Sequence, residues 1–281
     1  MKQFSFPDPM AADLYSSSMA EITYALITGA SSGIGECFAR ALAARRRSLV
    51  LVARSEDRLQ ALAAELRERH GVLAEPIAAD LALPGAATGL VARLEERRLV
   101  VNLLINNAGF GALGEFARLP LERQSRMLAV NVQALMELTH LLVRPMMERR
   151  QGGVINLGST ASFQPVPYIT TYAATKAFVS SFSQALAAEL RPYGIAVVTL
   201  CPGGTRTNFL EVAGYTRPKL LGKLQVPEEV VEVGLEALGR GGGLIVPRWT
   251  NKLGVFIQRF LPRSLVIRMS GDIFKPSMHS E

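Results

Sequence analysis

Between residues 24 and 246, short runs of β-branched and leucine-rich residues alternate with longer stretches in which apolar positions recur every three or four residues. The short runs predict strands over 24–28, 48–53, 74–79, 102–106, 153–158, 195–200 and 243–246. Helices fill the intervals. The clearest is 56–70, which places Leu59, Leu62, Ala63 and Leu66 at i, i+3, i+4 and i+7, one buried face. Such alternation marks repeated βαβ units. The expected fold class is α/β, a doubly wound parallel sheet of the Rossmann type with about seven strands and right-handed crossovers that put helices on both faces.

No internal repeat, low-complexity tract or Pro/Gly/Ser linker divides the chain, so one domain is expected over 21–248. Residues 1–20 read as a flexible tail, within which Met19 is an alternative start. Residues 249–281 form a helical extension. Here Leu253, Phe256, Ile257, Phe260 and Leu261 make an apolar helical face beside Lys252 and Arg259, and Pro262 ends it. A helix over 251–261 with the segment 263–269 fits a lid, a subunit contact or a membrane-surface element whose Lys252, Arg259, Arg263 and Arg268 meet lipid phosphates. Packing is the preferred expectation.

The chain has 281 residues, 49% hydrophobic and 20% charged, which excludes a disordered or collagen-like protein. A net charge of +7 would permit a nucleic-acid partner. The arginines argue otherwise: Arg45 to Arg47, Arg97 with Arg98, and Arg149 with Arg150 each fall where a helical stretch ends, and cations there complement the helix dipole. No nucleic-acid surface is expected. Cys37 and Cys201 lack Cys-x-x-Cys spacing, and His70, His140 and His279 are isolated, so neither a disulfide framework nor a metal site is expected. A reducing cytoplasm fits. Neither a signal-peptide core nor an apolar run of about 20 residues is found.

Directly after the first predicted strand stands Thr28-Gly29-Ala30-Ser31-Ser32-Gly33-Ile34-Gly35. Its glycines let the backbone turn sharply and approach a pyrophosphate at a helix N-terminus. The spacing lacks the Gly-Lys-Ser/Thr end of a P-loop, which disfavours nucleotide hydrolysis. At the end of the second strand, Ala53 stands where NAD sites place an acid, and Arg54 with Ser55 can grip a ribose 2′-phosphate. The expected cofactor is NADP(H).

Further on, Tyr172 and Lys176 stand at i and i+4, on one face of a helix, with Ser159 at the end of the fifth strand. Together with the glycine turn, this pattern resembles the short-chain dehydrogenase/reductase family, over about 24–246. In that family Asn106-Asn107-Ala108-Gly109 follows the fourth strand, stabilises the sheet and borders the adenosine half of the cofactor, and Asp80, followed by Leu81, contacts adenine. Pro202-Gly203-Gly204-Thr205-Arg206-Thr207 resembles the motif beside the nicotinamide carboxamide. The resemblance implies a catalytic tetrad of Asn131, Ser159, Tyr172 and Lys176. Tyr172 would exchange a proton with the substrate oxygen, Lys176 would lower the tyrosine pKa and bond the nicotinamide ribose, Ser159 would hold the substrate oxygen, and Asn131 would position a water. Hydride reduction of a carbonyl leaves an alkoxide that needs such a proton donor.

The implied function is NADPH-dependent reduction of a hydrophobic ketone, aldehyde or 3-oxoacyl group to an alcohol, reversible in principle. Phe209, Leu210, Tyr215, Leu220, Leu221 and Leu224 are expected to cover the substrate, with Phe163, Pro165, Val166 and Tyr168 as a wall beside Ser159. Phe274-Lys275-Pro276 has some likeness to members that reduce long-chain 3-oxoacyl thioesters. By resemblance the chain pairs helices over 127–147 and 172–191 in a homodimer or homotetramer. Two rivals are a non-catalytic NADP(H)-sensing protein on the same fold, against which the complete tetrad argues, and a sugar-nucleotide epimerase of the longer branch, disfavoured by the glycine spacing and the lack of a second domain.

Overall fold

The computed structural model describes residues 22–215 and 224–275. The expected tail over 1–20, and Leu220, Leu221, Pro276 and His279, lie outside the described residues. The remainder is built on seven strands: β1 (Thr23–Thr28), β2 (Ser48–Ala53), β3 (Ala74–Ala78), β4 (Val100–Asn106), β5 (Gly152–Leu157), β6 (Ile195–Leu200) and β7 (Gly242–Ile245). They form one sheet in the order β3-β2-β1-β4-β5-β6-β7, and every pairing is parallel. Parallel strands need crossovers, and helices supply them.

The helices between strands are α1 (Gly33–Ala44), α2 (Glu56–His70), α3 (Ala86–Glu96), α4 (Leu121–Leu128), α5 (Leu135–Arg149), α6 (Thr170–Leu190), α7 (Phe209–Val212) and α8 (Pro227–Gly239), and α9 (Trp249–Ile257) and α10 (Arg263–Phe274) follow the last strand. Successive strand residues point to opposite faces, so each central strand feeds two cores, which is why these strands read as unbroken apolar runs. On one face Ala25, Ile27, Leu49 and Leu51 pack with Phe38 of α1, Leu59 and Leu66 of α2, and Val230 of α8. On the other, Leu26, Val50 and Leu104 meet Leu90 of α3 with Leu138 and Met146 of α5.

Strand order reverses between β1 and β4. A crevice opens there at the carboxyl ends of the strands, the place where open α/β sheets hold ligands. Two helical segments depart from expectation. The stretch predicted as one helix over 127–147 is interrupted by a π-helical turn at Ala129–Ala134, which widens the helix around Asn131. The terminal helix begins at Trp249 and gives way after Ile257 to a 3-10 turn, Gln258–Phe260, tightened ahead of Pro262.

Candidate active site

The glycine turn is locked to the neighbouring strand by one buried threonine. Thr28 Oγ1 donates to the Ile105 carbonyl at 3.3 Å and accepts the amides of Asn107 and Ala108, both at 3.0 Å. Asn107 returns its side-chain amide to the carbonyls of Thr28 at 2.9 Å and Gly29 at 3.2 Å. Gly29 has φ +68, and a Cβ there would meet Asn107 Nδ2 at 2.8 Å, so only glycine satisfies both the turn and the approach. The N-terminus of α1 is thereby held open over the crevice with its first amides unpaired within the helix.

A cavity of about 580 Å³ runs along the crevice. Gly29, Ser31, Ser32, Gly33 and Ile34 line one end, with Arg54, Ser55, Asp80 and Leu81 beside them. Among the described residues the Arg54 guanidinium holds no hydrogen bond or salt bridge. Asp80 is engaged: it accepts from the Ala82 amide at 3.0 Å and pairs with Arg126 at 2.7 Å. Burial works to raise its pKa, but the Ala82 amide, Arg126 and then Arg54 outweigh it and hold the carboxyl below its usual value.

At the other end Ser159, Tyr172 and Lys176 face the same cavity. Ser159 caps the short 3-10 helix Thr160–Phe163. Its Oγ accepts the Ala161 amide at 3.1 Å, and its own amide donates to Ser162 Oγ at 3.1 Å. That box fixes the hydroxyl next to Tyr172, one side chain at the end of β5 and the other in the first turn of α6. Burial pushes the Tyr172 phenol up to about 12, with Ser159 opposing, and pushes Lys176 down to about 8. Burial is the larger influence on the phenol here. The Lys176 ammonium lies 5.8 Å from the Tyr172 ring centre and donates to the Leu157 carbonyl at 2.6 Å. A phenol held neutral and a cation held beside it form a proton donor backed by a positive charge.

Of the residues expected at the site, Gly29, Ser31, Ser32, Gly33, Ile34, Arg54, Ser55, Asp80, Leu81, Asn107, Ala108, Gly109, Ser159, Tyr172, Lys176, Pro202, Gly203, Thr205 and Thr207 all line the cavity. Three stand back from it. Gly35 lies behind the turn, where a Cβ would collide with the Gly29 carbonyl at 2.2 Å. Asn106 is buried in the sheet, donating to Thr139 and to Asn156 at 2.9 Å each. Asn131 is buried in the π turn, exchanging hydrogen bonds with the Phe110 amide at 3.1 Å and carbonyl at 3.0 Å and donating to Thr175 at 3.1 Å. It ties the loop after β4 to α6 at Thr175.

The expected substrate wall is corrected in part. Of Phe163, Pro165, Val166 and Tyr168, only Val166 lines the cavity, and Tyr168 has a left-handed backbone, φ +67. Gln164 and Ile169 take the other places. Phe209, Leu210 and Tyr215 line it as expected, whereas Leu224 does not. Phe274, from the far end of the chain, packs on Tyr215 with ring centres 5.4 Å apart, and Tyr215 Oη donates to the Ile273 carbonyl at 2.9 Å. Sequence reasoning missed Gln225. It is buried, and its Oε1 accepts both the Gly203 amide and Asn251 Nδ2 at 3.0 Å, fixing the 202–205 loop over the cavity. A lone glutamine after a long loop carries no sequence signal for this.

The sequence profile of the short chain dehydrogenase family matches residues 23–217. A very-long-chain 3-oxoacyl-CoA reductase of Pyrenophora tritici-repentis is 32% identical over 250 residues, which cover 85% of this chain and 72% of that protein. Among solved structures, a short-chain dehydrogenase from Sphingobium yanoikuyae in complex with NADPH superposes with a TM-score of 0.77 at 35% identity, over 87% of this chain and 94% of that one. A bulky-bulky ketone specific alcohol dehydrogenase from Comamonas testosteroni gives 0.73 at 34% identity, over 86% and 94%. With the sheet order, the glycine turn and the Ser159, Tyr172 and Lys176 cluster all in place, this chain belongs to the short-chain dehydrogenase family and is an oxidoreductase.

Proposed function

We propose that the protein is an NADP(H)-dependent carbonyl reductase that converts a hydrophobic ketone, aldehyde or 3-oxoacyl group to an alcohol. The observation that carries this reading is that one cavity joins the Arg54 guanidinium and the α1 N-terminus at one end to Ser159, Tyr172 and Lys176 at the other. These residues fit a phosphorylated dinucleotide. The amides of α1 suit the pyrophosphate, Arg54 and Ser55 suit a ribose 2′-phosphate, and no carboxylate stands at Ala53 to repel it. When bound, the nicotinamide supplies the hydride.

In this reading the chain's own groups do the rest. Ser159 Oγ, fixed by its cap, donates to the substrate carbonyl oxygen. The Tyr172 phenol, kept protonated by burial, gives its proton to that oxygen as negative charge develops there. Lys176, charged below pH about 8, stabilises the tyrosinate that results and has a further donor for a ribose hydroxyl. Asn131 is a positioning residue. The cavity wall of Leu113, Val166, Ile169, Phe209, Ala213 and Phe274 selects an apolar substrate, in keeping with the long-chain acyl and bulky ketone substrates named for the relatives. A homodimer or homotetramer formed through α5 and α6, in a reducing cytoplasm, completes the reading.

The test is an NADPH-oxidation screen over aliphatic ketones, aldehydes and 3-oxoacyl thioesters, paired with binding titrations of NADPH and NADH. Turnover with a hydrophobic carbonyl and tighter NADPH binding are expected. NADPH binding without reduction of any carbonyl in the panel would overturn the reductase reading.

A further inference from the structure

The helix α9 is inside out. Its polar Asn251 turns toward the protein and donates to Gln225 and to the Pro247 carbonyl. No residue of α9 is buried. Its apolar side chains point away: Trp249 is 72% exposed, Phe256 55% and, in the turn that follows, Phe260 73%, with Leu253 and Ile257 also exposed. Trp249, Leu253, Phe256 and Phe260 recur at helical spacing and so form one continuous stripe, and the rings of Phe256 and Phe260 touch edge to face at 5.3 Å. An apolar stripe of this kind on a protein surface marks a contact.

Charge selects the occupant. Between Trp249 and Lys275 the chain carries five cations, Lys252, Arg259, Arg263, Arg268 and Lys275, against one carboxylate, Asp272. A second copy of the chain meeting this face about a two-fold axis sets cations against cations. An anionic bilayer instead takes the aromatic stripe into its interfacial region and pairs the cations with its phosphates. No helix among the described residues is long and apolar enough to cross a membrane, so the contact is peripheral.

We propose that the α9 face and the turn after it dock on the surface of an anionic lipid bilayer. The docked element is also the roof of the cavity, since Asn251 of α9 and Ser270, Ile273 and Phe274 of α10 line it. Ser270 Oγ bonds the Pro165 carbonyl at 3.1 Å, tying α10 to the loop between Ser159 and Tyr172. A lipid-like carbonyl, which the proposed function calls for, then enters from the membrane side without crossing bulk water. Only this last step rests on that reading.

Trp249 is the only tryptophan in the chain and reports the contact directly. The full protein is mixed with vesicles of phosphatidylcholine alone or with phosphatidylglycerol added, with no cofactor or substrate present. The expected results are sedimentation with the anionic vesicles, a shift of Trp249 emission to shorter wavelength, and protection from an aqueous quencher. Binding should weaken about fivefold for each cation removed in R259Q and R263Q, and should be lost in the F256S/F260S double variant. Reduction of a water-soluble carbonyl should be unchanged in all three variants. Three outcomes overturn the proposal: no vesicle binding by the unaltered protein, a Trp249 emission already that of a buried indole in buffer, or self-association that F256S/F260S abolishes. Because binding is read without turnover, its failure and failure of the reductase reading are separate results.

Discussion

Lys176 donates to the Leu157 carbonyl at 2.6 Å while its ammonium lies 5.8 Å from the centre of the Tyr172 ring. Burial holds the lysine at about 8, below its ordinary 10.5, and holds the tyrosine at about 12. A lysine with a lowered pKa is charged below that value and neutral above it, whereas the phenol stays protonated throughout. The rate of carbonyl reduction, as kcat/KM, is therefore expected to be flat through neutral pH and to fall above about 8. A pH profile that holds level up to the titration of an ordinary lysine contradicts this assignment.

Arg54 is exposed and, among the described residues, holds no hydrogen bond or salt bridge. Removing a guanidinium that grips a phosphate through charge-assisted bonds costs about 1.5–3 kcal/mol, or roughly 10- to 150-fold in affinity. Arg54→Ala should weaken NADPH binding by that factor and leave NADH binding nearly unchanged. Equal losses for both in titration calorimetry count against a 2′-phosphate site.

The hydroxyl of Thr28 serves the amides of Asn107 and Ala108 together. Thr28→Val keeps the shape and strands the Ala108 amide, while the Asn107 amide keeps the Ile105 carbonyl at 3.1 Å, so a loss of about 1–3 kcal/mol is expected for the one donor left unpaired. Urea unfolding reads the stability, and NADPH affinity should fall with it because the glycine turn loses its anchor. A variant as stable as the parent contradicts the role given to this hydroxyl.

How far all this was legible in the sequence follows from the range of each interaction. Strands with two buried faces leave unbroken apolar runs, and the glycine turn, Ser159, Tyr172 and Lys176 keep a fixed spacing, so the sheet and most of the cavity lining could be read off directly. Contacts between distant segments leave no such trace. Gln225 bonds Gly203 and Asn251 across 22 and 26 residues, and Phe274 reaches Tyr215 from near the end of the chain. The π turn is equally silent, since Ala129 to Ala134 have the composition of any helix. Asn106, expected both to stabilise the sheet and to border the cofactor, stands one residue short of the crevice and points into the sheet, where Thr139 and Asn156 hold it.

Phe274 closes the substrate end of the cavity against Tyr215. Phe274→Ala should widen it, raising KM for a small ketone severalfold while sparing kcat, because uniform binding is lost and the proton donor is untouched. Steady-state kinetics with small and bulky ketones checks this, and a fall in kcat alone argues against a purely lining role.

Tyr172→Phe removes the phenol proton and leaves the ring in place. With the best substrate from the NADPH screen, general-acid loss should lower kcat by about 10²- to 10⁴-fold, while NADPH affinity, measured in parallel, stays within a few-fold of the parent. A Tyr172→Phe variant that reduces the carbonyl at the parent rate rules Tyr172 out as the proton donor.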